Sequence, residues 1–461
     1  MLEKFLNIFR IPDLRKRVLF TLAVLAVYRL GAWIPTPGVN THMLEQYFNS
    51  QGGSALGLMN LFGGGNLRRM TIFALGIMPY ITASIIFQLL TVVYEPLRRI
   101  EKEGELGRRK ITQWTRYVTV ILAAIQAVGI AVMLTRGGMV LSPGIGFDLM
   151  TVLTLTTGSA FIMWLGEQIT DRGIGNGMSL LIFAGIIAGL PAGAAELFQK
   201  VQTNAWGSMT FLAVLALIVV MAAVVAFIVY VERSERRVPI QSARRIVGRR
   251  MMGGQSSHLP LKVNAGGVMP VIFASSILSA PMMLRQTEWA TNTSWANSIL
   301  TAMGPGEPWY VFLDMLAIIF FAYFYISIVM KPDDIADNFR KSGSFIPGIR
   351  PGKRTSDFIN DILTRLTLVG AIYLIAIQLV PTLMISGIRL DHLFLVGKLF
   401  EQMPPFLTHG LGVNFYFGGT SLLIVVGVAM DTVNQIESQL IMRHYDGFSP
   451  RSGRVRGRKT W

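Results

Sequence analysis

The sequence predicts an all-α integral membrane protein: ten transmembrane helices in two inverted five-helix halves, around a central pore with a half-helix folded into it. Three observations carry this prediction. Of 461 residues, 52% are hydrophobic and 15% charged, and the apolar residues come in long blocks. The basic residues gather in alternate segments between the blocks. One block is interrupted by three consecutive glycines.

A helix needs about 17–25 apolar residues to cross the hydrocarbon core. Ten stretches qualify: Val18–Pro35, Met70–Val93, Tyr117–Leu134, Leu149–Leu165, Gly175–Leu190, Met209–Val231, Gly267–Leu284, Tyr310–Met330, Leu363–Ile385 and Gly418–Leu440. The first follows Lys and Arg as a signal peptide would, but Trp33-Ile-Pro-Thr-Pro37 offers no small-residue cleavage site, so it reads as a retained span. Leu2, Phe5, Leu6 and Phe9 suit one face of an interfacial helix before it. The fourth stretch carries Thr151, Thr154, Thr156, Thr157 and Ser159, which place it inside a bundle, and the fifth is short and glycine-rich.

The interruption lies before the second stretch. Ala55–Phe62 is apolar but short, and it runs into Gly63-Gly64-Gly65 and then Arg68-Arg69. Three glycines cost a continuous helix roughly 1 kcal/mol each, and paired arginines are expensive at bilayer depth. The piece is therefore a separate half-helix on a glycine hinge. Non-helical backbone at that depth survives only where protein buries it or where it lines a watery cavity, which points to a pore or substrate path.

Orientation follows from the Lys and Arg residues, which cytoplasmic loops retain. One set of alternate segments holds 33 of them and the other set only 7. With an even number of spans, both termini lie on the basic, cytoplasmic side. The net charge of +16 is thus concentrated on one face. Topology and anionic lipid headgroups account for about half of that excess. The segments Glu232–Asn264 and Lys331–Asp361 are long for mere connections, and strongly basic loops suit a polyanionic partner such as RNA. Pro260 and Phe345-Ile-Pro-Gly-Ile-Arg-Pro-Gly352 supply turn chemistry, so both loops are expected to form hairpins.

Five spans end near Leu190 and five more begin near Met209, giving an N-terminal half, 1–190, and a C-terminal half, 191–461, with a basic tail from Arg443. Two odd-numbered halves must be oppositely oriented, the arithmetic of an inverted repeat with its path at the interface.

Signals for an enzyme are nearly absent. There are no cysteines, and the five histidines have no metal-ligand spacing, so no cofactor or metal is expected. Gly348–Thr355 imitates a phosphate loop, but its glycines are one residue too close and Arg precedes Thr. The span centres are essentially free of Asp and Glu; Asp431 and Glu437 are placed in the cytoplasmic third of the tenth stretch and Asp314 at the outer end of the eighth. An ion-coupled carrier needs such groups at the midplane. A passive path driven by something else fits best, with a small-solute transporter as the alternative and an intramembrane enzyme as a third reading.

Six stretches resemble the SecY family of protein-translocation channels: Phe73-Ala-Leu-Gly-Ile-Met-Pro-Tyr-Ile81, Gly166–Gly177, His258–Asn264, Ile272–Ile277, Lys341–Gly352 and Phe415–Ile424. They fall in register with the ten spans. The resemblance implies that the half-helix, about Leu56–Asn66 on its hinge Gly63, Gly64 and Gly65, is a plug. It implies a pore ring at Ile81, Ile85, Met178, Ile182, Ile272 and Ile424, where Met178 departs from the family's isoleucine. It implies docking of the ribosome, through rRNA, and of the motor ATPase SecA on the basic loops, with Arg249, Arg250 and Arg350 at matching positions. It also implies a lateral gate toward the lipid bilayer between spans two and three and spans seven and eight, with Gln88, Ser275 and Ser276 as polar members. SecE-like and SecG-like small membrane subunits are the implied companions, and secretory and membrane nascent chains the cargo.

Overall fold

The computed structural model describes residues 11–50, 60, 63–203, 210–242, 245–247, 250–252, 256–284, 293–304, 307–385 and 419–446. The expected interfacial helix at Leu2–Phe9 and most of the basic tail lie outside them. The described elements, in order, are helices α1 (Pro12–Gly31), α2 (Thr41–Ser50), α3 (Met78–Val93), α4 (Glu95–Lys102), α5 (Glu105–Arg136), α6 (Ile145–Arg172), α7 (Gly177–Gln202) and α8 (Thr210–Arg233). Strands β1 (Glu235–Ser242), β2 (Arg245–Val247), β3 (Arg250–Met252) and β4 (Ser256–Lys262) follow. Then come α9 (Met269–Leu284), α10 (Ser294–Ala302), α11 (Pro308–Val329), α12 (Pro332–Ser342), β5 (Ser344–Phe345), α13 (Lys353–Ile385) and α14 (Gly419–Asp446).

Each of the ten apolar stretches carries a helix. Among the described residues, five helices are long and apolar enough to cross a membrane, and a sixth qualifies if α3 and α4 count as one broken span. That pair is bent by 99° at Tyr94, whose extended backbone precedes Pro96 in the first turn of α4.

Several helix boundaries differ from the hydropathy reading, α5 and α13 starting ten or more residues early, and two of the differences bear on the site. The second stretch was expected to begin at Met70, yet α3 starts only at Met78, with Pro79 in its first turn. Residues 70–77 are buried but turn-like, with Gly76 at φ +58°. Their backbone finds partners outside any helix: Thr36 N–H donates to Met70 O at 2.7 Å and Ile72 N–H to Ile34 O at 3.0 Å. Burial alone made this segment look like a span. The fifth stretch, expected to stop at Leu190, continues through Pro191 to Gln202. A proline removes one helical hydrogen bond without having to end the helix.

The helices form one main apolar core, and its seams matter for function. Within the first half α3 packs on α5, and α7 on α6; α3 also packs on α9, and α7 on α14. The expected halves therefore meet along at least these two helix pairs. At one end, Arg116 Nε donates to Glu167 Oε1 at 2.7 Å and ties α5 to α6. Asp314 of α11, placed by the sequence near a span end, is buried and its Oδ2 accepts a hydrogen bond from Gln378 Nε2 of α13.

The two basic loops do not fold alike. Glu232–Asn264 is the expected hairpin, β1 pairing antiparallel with β4 from Glu235↔Lys262 to Gln241↔Ser256, with β2 and β3 nearer its tip. Pro260 is not in its turn; it lies within β4 opposite Arg237. There it sits on an edge strand, where a missing N–H costs no ladder bond. Lys331–Asp361 is not a hairpin: α12 ends at Gly343 in the left-handed conformation, β5 follows, and a turn leads into α13. β5 pairs with β1 through Gln241↔Phe345 and Ser242↔Ser344, giving a three-stranded sheet of order β4-β1-β5. Val238 and Leu261 of the hairpin share a buried cluster with Ile346, Ile359, Ile362 and Leu363 of the second loop and α13. The two loops are one body.

Candidate functional site

The ring residues come from four helices, and those four are the seam helices. Ile81 and Ile85 are on α3, Met178 and Ile182 on α7, Ile272 on α9 and Ile424 on α14. The pairs Ile81/Ile85 and Met178/Ile182 are each four apart and so face one way. Ile81, Ile85, Ile182, Ile272 and Ile424 are all buried in one apolar cluster, and Met178 packs against it half-buried. The Met178 thioether also fills the notch left by Gly166 of α6, where a Cβ would come within 2.4 Å of Sδ. A flexible thioether adapts to such a gap. Apolar side chains of this kind suit a constriction that sheds water and blocks ions, since they offer no hydrogen bond to hold a passing chain.

The glycine hinge lies against the same wall. Leu56–Met59, Leu61 and Phe62 of the expected half-helix are outside the described residues; Asn60 and Gly63 onward are inside. Asn60 is buried and braces the turn: its carbonyl accepts from Gly65 N–H and its Oδ1 from Arg68 N–H, both at 2.8 Å. Gly64 and Gly65 have φ of +66° and +85°, the left-handed region that only glycine enters freely. Asn66 Nδ2 donates to Tyr28 OH of α1 at 3.4 Å. Gly64 abuts Gly185 of α7, a residue that sequence reasoning passed over. Its signal was available, since Met178, Ile182 and Gly185 follow a spacing of four and three along one helix face.

The gate candidates bond within their own helices. Gln88 Nε2 donates to Ser84 Oγ at 3.3 Å, one turn back on α3. Ser275 and Ser276 Oγ both donate to Ile272 O, at 3.0 and 2.7 Å. α3 and α9, which carry them, do touch.

Of the docking candidates, Arg249 is outside the described residues and Arg250 opens β3. Arg350 is exposed on a braced turn. Gly348 and Gly352 hold φ of +83° and +109°, Ile349 N–H donates to Ile346 O, and buried Thr355 Oγ1 donates to Arg350 O at 3.0 Å. The turn fixes the Arg350 backbone while leaving its guanidinium free in space. Where the sheet rejoins the helices, Asn264 Nδ2 donates to Glu232 Oε1 at 2.7 Å and to Gly267 O at 3.1 Å. Burial pushes the Glu232 carboxyl above the ordinary carboxylate range, against the lowering effect of that hydrogen bond. Lys262 at the end of β4 lies 3.6 Å from Asp431 of α14, the helix of Ile424.

Comparison with known proteins places this arrangement. The family model described as SecY matches residues 71–433. The chain is 46% identical over 441 residues to the protein translocase subunit SecY of Escherichia coli strain K12, covering 94% of this chain and 93% of that one. A solved SecY whose plug domain stabilises the closed state of the translocation channel and maintains a membrane seal superposes with a TM-score of 0.65 at 18% identity, over 95% of both chains. Sec61 from the canine ribosome-channel complex superposes with a TM-score of 0.60 at 16% identity, again over 95% of both. At those identities the two structures speak for the fold alone.

Proposed function

The chain belongs to the SecY family, and on that footing we propose that it is the channel through which unfolded secretory polypeptides cross a bacterial plasma membrane. It also releases apolar segments sideways into the bilayer. The observation that supports this best is the convergence of six apolar side chains from α3, α7, α9 and α14 on one buried cluster at the seams. The protein is not an enzyme; energy comes from partners. Its ten spans form the halves 1–190 and 191–461, with both termini in the cytoplasm where the basic segments are held.

In this reading Ile81, Ile85, Met178, Ile182, Ile272 and Ile424 are the gasket around the passing chain. Residues about 56–66 are the plug, swinging on Gly63, Gly64 and Gly65. The joined loops are a docking platform on which Arg249, Arg250 and Arg350 receive either the ribosome or SecA, and SecE-like and SecG-like subunits complete the complex. The braced turn under Arg350 suits such a role, because a bidentate cation on fixed backbone loses little freedom when it binds. Parting of α3 from α9, near Gln88, Ser275 and Ser276, opens the route to lipid.

The test is reconstitution into liposomes with the small subunits, SecA, ATP and a signal-bearing precursor, scored by protease protection. ATP-dependent protection that is lost in Arg350→Glu is the expected result. Absence of protection with partner binding confirmed, or gradient-driven uptake of a small solute without any motor, returns the chain to the transporter class.

A further inference from the structure

The ring face of α7 does not end at Ile182. Met178, Ile182 and Gly185 share it, and Gly185 lies about 4.5 Å further along the helix than Ile182. A glycine on this face leaves bare backbone where a side chain would otherwise fill the path. Gly64 of the hinge lies against that bare backbone: a Cβ on Gly64 would fall 2.5 Å from Gly185 O, 2.7 Å from Gly185 Cα and 2.8 Å from Gly185 C. Real Cβ atoms do not approach backbone so closely, so Gly64 has no room for a methyl group against α7 without moving. Gly65, the next residue, also has a positive φ, but a Cβ there would meet nothing within 4 Å. The close approach is specific to Gly64. Asn60 stiffens the same turn through its two hydrogen bonds, so the hinge cannot slide away cheaply.

We propose that Gly185 is the seat on which the plug hinge closes, a positioning residue that sets the closed state by letting the Gly64 backbone dock one turn from the pore ring. This rests on the reading of the half-helix as a plug. A side chain between Gly64 and the seat lifts the hinge and shifts the resting equilibrium toward an open path. It leaves the docking platform and the ring untouched.

The experiment uses the full chain with its small membrane subunits in liposomes, measuring resting ion conductance and SecA-driven precursor protection. Gly185→Ala is the sharp variant, because alanine favours a helix over glycine and so leaves no reason for α7 to weaken. Resting conductance is expected to rise about tenfold, the factor that ~1.4 kcal/mol corresponds to, while precursor protection persists. Gly129→Ala, on an exposed and open face of α5, serves as the control and leaves conductance unchanged. Gly64→Ala and Gly65→Ala both bear a positive φ, but only the first meets α7, so Gly64→Ala should leak about tenfold more than Gly65→Ala. A Gly185→Ala channel as tight as the parent overturns the seat, and so does equal leakage of the two hinge variants. Deletion of Ala55–Asn66 separates the two ideas. If it leaks but Gly185→Ala does not, only the seat fails; if it also stays sealed, the plug reading itself fails.

Discussion

The proposed pore ring and the proposed docking platform are specified in opposite ways. The ring is made of side chains from four helices spread over more than 300 residues of sequence, and nothing in it depends on a hydrogen bond. Its requirement is apolar volume, which neighbouring side chains can share. The platform is made of backbone: a strand from one loop laid along a strand of the other, and a turn held by Gly348, Gly352 and the Thr355 hydroxyl. Its requirement is geometry at single residues. The seal should therefore tolerate exchange among apolar residues and fail on polarity, whereas the platform should fail on small changes of charge or backbone.

The largest effect expected is from Arg350→Glu, which puts like charge against any acidic or phosphate partner at a cost of several kcal/mol. SecA-driven protection should drop at least about a hundredfold while resting conductance stays at the parent value. A leak in this variant would mean that platform and ring are not separable. Next in size is Ile272→Asn or Ile424→Asn. A buried amide without a partner costs about 1–3 kcal/mol, and water recruited to satisfy it should raise resting conductance roughly tenfold, with partner affinity unchanged by titration. Ile182→Leu at the same ring should be nearly silent, since volume-conserving swaps cost under about 1.5 kcal/mol. Gly352→Ala comes third. A side chain at φ +109° is strained, and partner binding measured by titration should weaken about threefold to tenfold through the turn alone.

The smallest effect sharpens the junction between the two regions. Glu232 has its carboxyl pushed upward by burial, so the folded state favours the protonated form. Its contribution to stability is full below the ordinary carboxylate range and is lost as pH rises through the raised value. Glu232→Gln imitates the protonated form and can still accept from Asn264. It should melt slightly higher than the parent at neutral pH and equally at acidic pH in a detergent thermal scan; the reverse order would contradict the burial argument.

The sequence made the apolar stretches legible, and with them seven of ten helix starts to within about two turns, because hydropathy reports what leaves water; α5 and α13 begin ten or more residues earlier, in polar residues outside the apolar run. It misplaced the start of α3 for the same reason. Residues 70–77 leave water too, but they pair partly through short turns, Ala74 N–H to Thr71 O and Gly76 N–H to Phe73 O, and partly with Ile34 and Thr36, and pairing across more than thirty residues has no local signature. The break in the helix at Gly63–Gly65 was legible because consecutive glycines disfavour a helix, and Gly64 and Gly65 take left-handed backbone that most residues enter only at a cost. The second loop was misread because its strand belongs to a sheet whose other members lie a hundred residues earlier. The ring isoleucines could not be singled out by chemistry, an isoleucine in an apolar helix being ordinary; only the family resemblance named them. Gly185 shows the complementary failure, a functional position marked by the absence of a side chain.

The irregular segment at 70–77 also bears on how the chain itself reaches the bilayer. Its peptide groups would be orphaned in hydrocarbon, so it cannot enter lipid as helices do, one after another in order of synthesis. Ile34 and Thr36 are made before it, but Gly158 of α6, against whose Cα the Ile72 carbonyl rests so closely that a Cβ would fall 1.9 Å away, is made more than eighty residues later. Until α6 arrives, residues 70–77 need another shelter. Residues 70–77 are therefore expected to be sheltered only once α6 has joined the helices before it, and a ribosome stalled before residue 158 should leave that segment open to aqueous reagents that the finished protein excludes.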